Sequence, residues 1–439
     1  MTINGDQSFE PDETFVVNLS SANNAAISKA QGTGTIQNDD AQGGFISFSQ
    51  GSYAASETAG FVTITVNRTN DTSRAATVDY ATSDAGSPAS CATSNGLASS
   101  RCDFTSALGT LQFAAGETQK TFVILISQDS YTEGAETYSI ALSNLTGGAQ
   151  FSASSTALGT IFNSPIGPSN PIDSPNIFVR MHYHDFLNRE ADLSGLSFWA
   201  GQITSCGSDT ACTEVKRINV SAAFFLSIEF QQTGYLVERM YKSAYGDATG
   251  ISTLGGSHSL AVPIVRFNEF LADTQRIGRG VVVLQPGWEQ ALENNKQAYA
   301  GEFVRTTRFI NAFPATMTPA EFVDKLNQNA GNVLSASERT TAINLFGGAG
   351  DSSDTTARAQ ALRQVAEDQD LFTAESNRAF VLTEFFGYLR RNPNDLPDSD
   401  YTGYEFWFSK LNQFNGDYIA AEMVKAFIAS SEYRQRFGP

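Results

Sequence analysis

Oxygen-bearing side chains are the chemistry this chain offers in quantity. Its 439 residues hold 46 Asp and Glu against 28 Lys and Arg, for a net charge of −18. Some of these carboxylates recur at matching places in two stretches. "INGDQSFEPDETFVVNLSSANNAAISKAQGTGTIQNDD" is echoed by "ISQDSYTEGAETYSIALSNLTGGAQFSASSTALGTIFNS", so Asp6 answers to Asp129, Glu10 to Glu133 and Glu13 to Glu136. Carboxylates clustered on adjoining loops suit calcium, which takes about six to eight oxygen ligands at flexible geometry. The plainer alternative is a set of solvated turn residues, because Asp side chains hydrogen-bond to their own backbone in turns. The acidic balance argues against nucleic acid, whose phosphates need clustered Lys and Arg. It suits divalent cations or basic partners.

Other reactive groups are few. The four cysteines fall as two close pairs, Cys91 with Cys102 and Cys206 with Cys212, in Ser-, Gly-, Asn- and Thr-rich surroundings. Neither pair has zinc or thioredoxin-like spacing, so two disulfides closing surface loops are expected, and with them an oxidising compartment. His182 and His184 flank Tyr183 two positions apart, which on a helix does not place them on one face for chelation; packed or solvated histidines are expected, with a weak surface metal site near Asp185 as the alternative. His258 stands in a Gly-Ser turn, "GGSHS". The segment "NREADLSGLSFW" looks like an EF-hand loop, but with Gly195 as the turn glycine the bidentate Glu position falls on Gly201. A helix–turn–helix corner packed by Phe198 and Trp199 is expected instead. No G-x-S-x-G, H-E-x-x-H, P-loop or dinucleotide fingerprint is present, so no catalytic residue is assigned.

The elements that must position these groups change character midway. Up to about Ser164 apolar residues alternate: Phe15, Val17 and Leu19; Val62, Ile64 and Val66; Val123 and Leu125; Tyr138, Ile140 and Leu142. Period two broken by Gly, Asn, Asp and Ser clusters predicts short antiparallel strands in a sandwich. The second echo is preceded by about eighty residues of strand pattern from near Phe45, the first by almost none. Residues 1–40 therefore read as the C-terminal part of a sandwich and 45–164 as a complete one. The segment Met1–Glu13 is polar and no run approaches the ~20 apolar residues of a membrane span. An exported chain without a leader implies cleavage or a chain that starts late, and the half-sandwich favours the second. Repeats lost upstream are one account of it. Completion of the open strand edges by a neighbour, head to tail into a fibre, is the other.

The stretches "ISFSQGSYAASETAGFVTITV", "VDYATSD", "LQFAAGETQKTFVILI" and "DSYTEGAETYSIALS" resemble the Calx-β family, an immunoglobulin-like β-sandwich module of sodium–calcium exchangers and bacterial surface proteins. The resemblance implies a calcium site at Glu57, Asp84, Asp129, Glu133 and Glu136 in the complete module. It also places Asp6, Glu10, Asp12, Glu13, Asp39 and Asp40 in the partial one. Calcium-binding members carry an acidic run after the last strand. Here Asn163 and Ser164 stand in that place, while the half-module keeps the run as Asn38, Asp39 and Asp40. Weak affinity, about 10⁻⁴–10⁻³ M, is expected of an extracellular site.

Pro165, Pro168, Pro171 and Pro175 mark residues 165–176 as a linker that blocks helix and ladder alike. From 177 to 439 the period turns helical, with faces at 221–245, 260–275, 287–313, 319–330, 335–347, 354–372, 376–391 and 401–437. Thr318–Glu321 and Ser335–Glu338 read as capping boxes. An all-α domain is expected, and it repeats: "FVRMHYHDFLNR…GLSFW" returns as "FVLTEFFGYLRR…GYEFW" and "FFLSIEF" as "FIASSEY", making 177–250 and 376–438 equivalent. This pattern resembles DUF4214, a helical module of bacterial secreted and surface proteins.

Together these readings point to a non-enzymatic secreted or cell-surface protein of structural or adhesive type. Calcium-stiffened sandwiches would present or anchor a helical interaction domain, with other copies of itself or envelope proteins as partners. A glycan- or protein-binding module is the alternative, favoured by an aromatic-lined groove and disfavoured by burial of Trp199, Trp288 and Trp407. A secreted hydrolase with its site in the helical middle section is a third.

Overall fold

The computed structural model describes residues 3, 11–39, 43–84, 91, 96–152, 154–164 and 169–439. It is a multidomain β + α molecule: sandwich material first, then a helical region. Strands β1 (Glu13–Asn18) and β2 (Gln31–Ile36) form an antiparallel ribbon. The complete sandwich follows, with β3 (Phe45–Phe48), β4 (Ser52–Ser56), β5 (Phe61–Thr69), β6 (Ala76–Asp84), β7 (Leu108–Phe113), β8 (Gln119–Leu125), β9 (Glu136–Ser143), β10 (Gln150–Phe151) and β11 (Thr156–Phe162). They build a four-stranded sheet, β10-β3-β5-β8, and a five-stranded one, β4-β11-β9-β6-β7. Pairing is antiparallel except at the edges, where β10 runs parallel to β3 and β11 to β4. Inward residues such as Ile46, Ile64, Val66, Val78, Ile124, Tyr138 and Ile140 make the core between the sheets.

Alternation placed the inward faces of β5 and β9 correctly, but not those of β8 and β1. On β8 it is Phe122 and Ile124 that point inward, whereas Val123 is exposed. The ribbon β1–β2 pairs with no other strand among the described residues, and Val16, Val17 and Leu19 are exposed. Its relation to the complete module is visible in the register. Phe15 lies opposite Gly34 and Tyr138 opposite Gly159. In both cases the ring covers the glycine so closely that a Cβ there would fall within 2.3 Å or 2.1 Å of it. A small residue under an aromatic ring is a paired choice, and its recurrence supports the sequence repeat.

The helical region contains α1 (Pro175–Leu187), α2 (Leu193–Thr204), α3 (Thr210–Phe225), α4 (Ile228–Tyr245), α5 (Phe267–Gly278), α6 (Trp288–Phe303) and α7 (Thr307–Ala312). It continues through α8 (Pro319–Asn329), α9 (Ala336–Asn344), α10 (Thr355–Ala366), α11 (Gln369–Glu384), α12 (Thr402–Gln413), α13 (Met423–Ala429) and α14 (Ser431–Arg434). Both predicted capping boxes form: Thr318 and Ser335 each exchange bonds with the Glu three residues on. The expectation of helix alone needs one correction. An antiparallel hairpin, β12 (Asp247–Ser252) with β13 (His258–Pro263), interrupts the helices. The face read as helical from residue 260 begins only at Phe267, because the short apolar run before it suits a strand equally well. Buried side chains from Ile172 to Phe437 form one continuous cluster.

The internal repeat is preserved as geometry. The first copy ends α1 with Asn188 in left-handed backbone, φ 52°, and the next residue, Arg189, grips Glu229 with two bonds of 2.7 and 3.0 Å. The second copy has Arg390 at φ 54°, followed by Arg391, which grips Glu432 at 2.6 and 2.9 Å. Phe198–Trp199 and Phe406–Trp407 are edge-on ring pairs at 4.9 and 5.0 Å. Trp199 and Trp407 are half-buried, as is Trp288, while Phe198 is exposed rather than packed in the corner. Asp192 caps α2 through the Gly195 N–H, so the EF-hand-like segment is a helix–turn–helix corner.

Pro165 and Pro168 lie outside the described residues. The later half of the proline-rich stretch is packed instead of extended: Pro171 and Ile172 are buried, and Asn170 donates to the carbonyls of Arg434 and Gly438. Sandwich and helical region also touch elsewhere. Gln275 accepts from the Leu108 N–H at 2.9 Å and donates to Ser106 O at 2.6 Å, and Arg279 bonds Thr110 O.

Candidate metal centre

Three loops at one end of the complete sandwich bring carboxylates together. Glu57 opens a short 3-10 turn after β4, capped by Ser56 and closed by Gly60 at φ 81°. Asp129 and Glu133 sit on the connection from β8 to β9, and Glu136 begins β9. Oxygens of Glu57, Asp129 and Glu133 lie within 4.8 Å of one another, and so do those of Asp103, Glu133 and Glu136. Glu133 belongs to both groups and joins them. Four of the five are nearly inaccessible: Glu57 is 5%, Asp103 6%, Asp129 1% and Glu136 4% exposed.

Such an arrangement is electrostatically costly, and the acidities record it. Burial, aided by the charge of Glu133, pushes Glu57 up to about 7. Burial and then Glu57 raise Asp129 to about 8. Burial and then Glu133 raise Glu136 to about 7. Burial raises Glu133, and it lifts Asp103 well above the ordinary carboxylate range. No Lys, Arg or His forms an ion pair with any of them among the described residues. Five carboxylates that share so small a space either hold protons or share a cation. The donor set is all oxygen, comes from flexible side chains and carries high negative charge, which fits a hard divalent ion of the calcium type.

The same loops show how the chain holds these oxygens in place. The Tyr131 N–H donates to Asp129 Oδ1 at 2.8 Å, and the Ser99 N–H to Asp103 Oδ2 at 2.6 Å. The Ser164 N–H approaches Glu57 Oε2 at 3.5 Å, and Asn163 donates to Tyr131 O at 2.8 Å. Asn163 and Ser164 thus brace two of the carboxylate loops. Asp84, at the end of β6, accepts from the Ser100 N–H at 2.8 Å and lies outside both carboxylate groups. Asp103 was missed in the sequence because it lies outside both the internal echo and the stretches that carry the family resemblance. Its one signal is its place next to Cys102, whose disulfide to Cys91 fixes the loop, with Cα atoms 5.6 Å apart.

In the half-module, Asp6, Glu10 and Asp40 lie outside the described residues. Asp12 accepts from the Asn38 N–H at 2.9 Å, and Asp12, Glu13 and Asp39 are exposed. The second disulfide, Cys206–Cys212, ties α2 to α3. The histidines are accounted for by packing and pairing. His182 is buried between Phe178 O at 2.7 Å and Ser221 Oγ at 2.6 Å, and burial pulls it down to about 4. His184 meets Glu190 at 2.9 Å, and exposed His258 meets Glu405 at 2.9 Å.

Comparison with known proteins finds two families along the chain. Residues 1–164 match the Calx-beta domain family. The match runs over 1–40 and again over 39–164, and residues 153–233 match DUF4214, a domain of unknown function. Calx-beta domains are non-catalytic, calcium-binding β-sandwich modules. Among solved structures, an apo-form Calx CBD1 domain is 27% identical over 27% of this chain and 96% of its own, with a TM-score of 0.24. A calcium-binding domain CBD12 of CALX1.1 is 27% identical over 27% of this chain, with a TM-score of 0.23. This chain spans only 45% of that structure's length. A Calx CBD2 domain is 15% identical over 29% of this chain and 91% of its own, with a TM-score of 0.25. No curated protein matches the chain.

Proposed function

We propose that the complete Calx-beta sandwich binds calcium through Glu57, Asp103, Asp129, Glu133 and Glu136, and that the protein is a non-enzymatic secreted or cell-surface component. One observation carries the reading: five carboxylates converge, four of them nearly buried, with no cationic side chain paired to them among the described residues. The ion would supply the missing positive charge and hold three loops in register. Two disulfides, and the fact that no helix of the described residues is long and apolar enough to cross a membrane, are compatible with an exported location. A structural or adhesive role follows from repeated sandwich material joined to a helical region, with other copies, envelope proteins or glycans as partners.

The test is a thermal melt of the intact protein in ~5 mM calcium and after chelation. With a dissociation constant near 10⁻⁴ M, such calcium stabilises the sandwich by about 2 kcal/mol, a shift on the order of 5–10 °C. Identical melts in both conditions make the carboxylates ordinary acidic residues.

A binding-module reading draws on a separate feature. A groove of about 570 Å³ in the helical region is lined by Tyr183, Phe198, Trp199, Arg189, Asp192 and Glu229. Aromatic faces beside fixed polar groups suit a glycan or a peptide.

A further inference from the structure

We infer that the carboxylate centre and the seat of the helical region are one structure, so that a divalent cation at the centre governs how firmly the helical region docks. The inference rests on the calcium reading above and extends it to a regulation of the same site.

Each of the three loops that bring carboxylates to the centre also touches the helical region. The Asp129 loop continues into Ser130, whose N–H donates to Phe437 O at 3.0 Å, and Tyr131, whose hydroxyl donates to Gln435 O at 2.9 Å. The Asp103 loop includes Arg101, which pairs with Glu432 and whose carbonyl accepts from Arg436 Nε at 3.0 Å. The Glu57 turn ends at Gly60, which packs so near the α1–α2 corner that a Cβ would stand 3.0 Å from Glu190 and 3.1 Å from Arg180.

The helical side of this contact is specific to one copy of its repeat. Arg189–Glu229 and Arg391–Glu432 are the equivalent pairs, but Glu432 also takes Arg101 of the sandwich. The later copy has thus put an internal clamp to use as a docking point.

The physical link is the shared ion. Without a cation the carboxylates keep protons or repel one another, so no common charge ties the three loops together, and the residues one to three positions along each loop are the ones seated on the helical region. A shared cation draws the loops together and restores the register that Tyr131, Arg101 and Gly60 need. Coupling of this kind is reciprocal: docking must raise calcium affinity by the factor by which calcium strengthens docking.

The experiment uses the full chain and substitutions that leave all five carboxylates intact. Arg101→Gln with Tyr131→Phe weakens the contact from the sandwich side, and Glu432→Gln weakens it from the helical side. Calcium affinity is measured by calorimetry and compactness by small-angle scattering, with helical content checked by circular dichroism. The expected result is a loss of calcium affinity of about tenfold in both sets, with the wild type expanding on chelation. Unchanged affinity in both sets, with calcium still bound and scattering indifferent to it, overturns the coupling alone. Absence of calcium uptake by the wild type overturns the site itself, and the coupling with it.

Discussion

Glu133→Gln is expected to abolish most of the calcium-induced rise in melting temperature while leaving the calcium-free protein no less stable. Glu133 is the one carboxylate shared by both oxygen groups, so neutralising it removes a ligand from each. In the absence of calcium the change has the opposite sign, because Glu133 adds to the burden on Glu57, Asp129 and Glu136. Relief of that repulsion raises the calcium-free melting point by on the order of 1 °C. A solvated turn glutamate gives neither effect, so a variant that keeps the full calcium response contradicts the assignment. The conjunction is informative: a substitution that merely damaged the loop would lower both melts together.

The second large effect belongs to Arg436. Its guanidinium is 2% exposed, and it makes paired bonds of 2.8 and 2.9 Å to Asp185, which is 8% exposed. It also donates to Tyr388 O at 2.9 Å and to Arg101 O across the junction. Arg436→Met keeps most of the side-chain stem but leaves Asp185 buried, with Arg390 3.9 Å away as its remaining ion-pair partner. Removing one member of a buried pair costs about 3–5 kcal/mol, since the other keeps its desolvation penalty. For a helical region of this size the loss is about 10 °C in the melt followed by circular dichroism. Adding Asp185→Asn should recover part of it, because the stranded charge is then gone. A loss below about 1 kcal/mol would mean that Asp185 finds another partner or water.

What sequence could reveal follows the range of the interactions. Strand faces such as Val62, Ile64 and Val66, the capping boxes at Thr318 and Ser335, and the two cysteine pairs are local patterns, and each has its structural counterpart. Glu57, Asp129, Glu133 and Glu136 came from a family resemblance and, for three of them, an internal echo. The structure draws all four together. Asp103 entered through a loop outside that echo, and Asp84 braces that loop through Ser100. The junction left no local trace at all. Arg101 and Glu432 stand 331 positions apart, and no periodicity reports a pair of that separation. The hairpin at β12–β13 was missed for a related reason: six residues of apolar character do not distinguish strand from helix until their partner is known.

The most direct test of the central claim is a calorimetric titration of the intact protein with calcium near pH 7, repeated in two buffers of different ionisation enthalpy. Glu57 and Glu136 lie near 7 and Asp129 near 8, so these groups carry protons that an incoming cation must displace. The predicted result is saturable binding with a dissociation constant of about 10⁻⁴–10⁻³ M, tightening as pH rises, and heats that differ between the buffers by the released protons. No saturable heat in either buffer, or binding indifferent to Glu133→Gln, would contradict it.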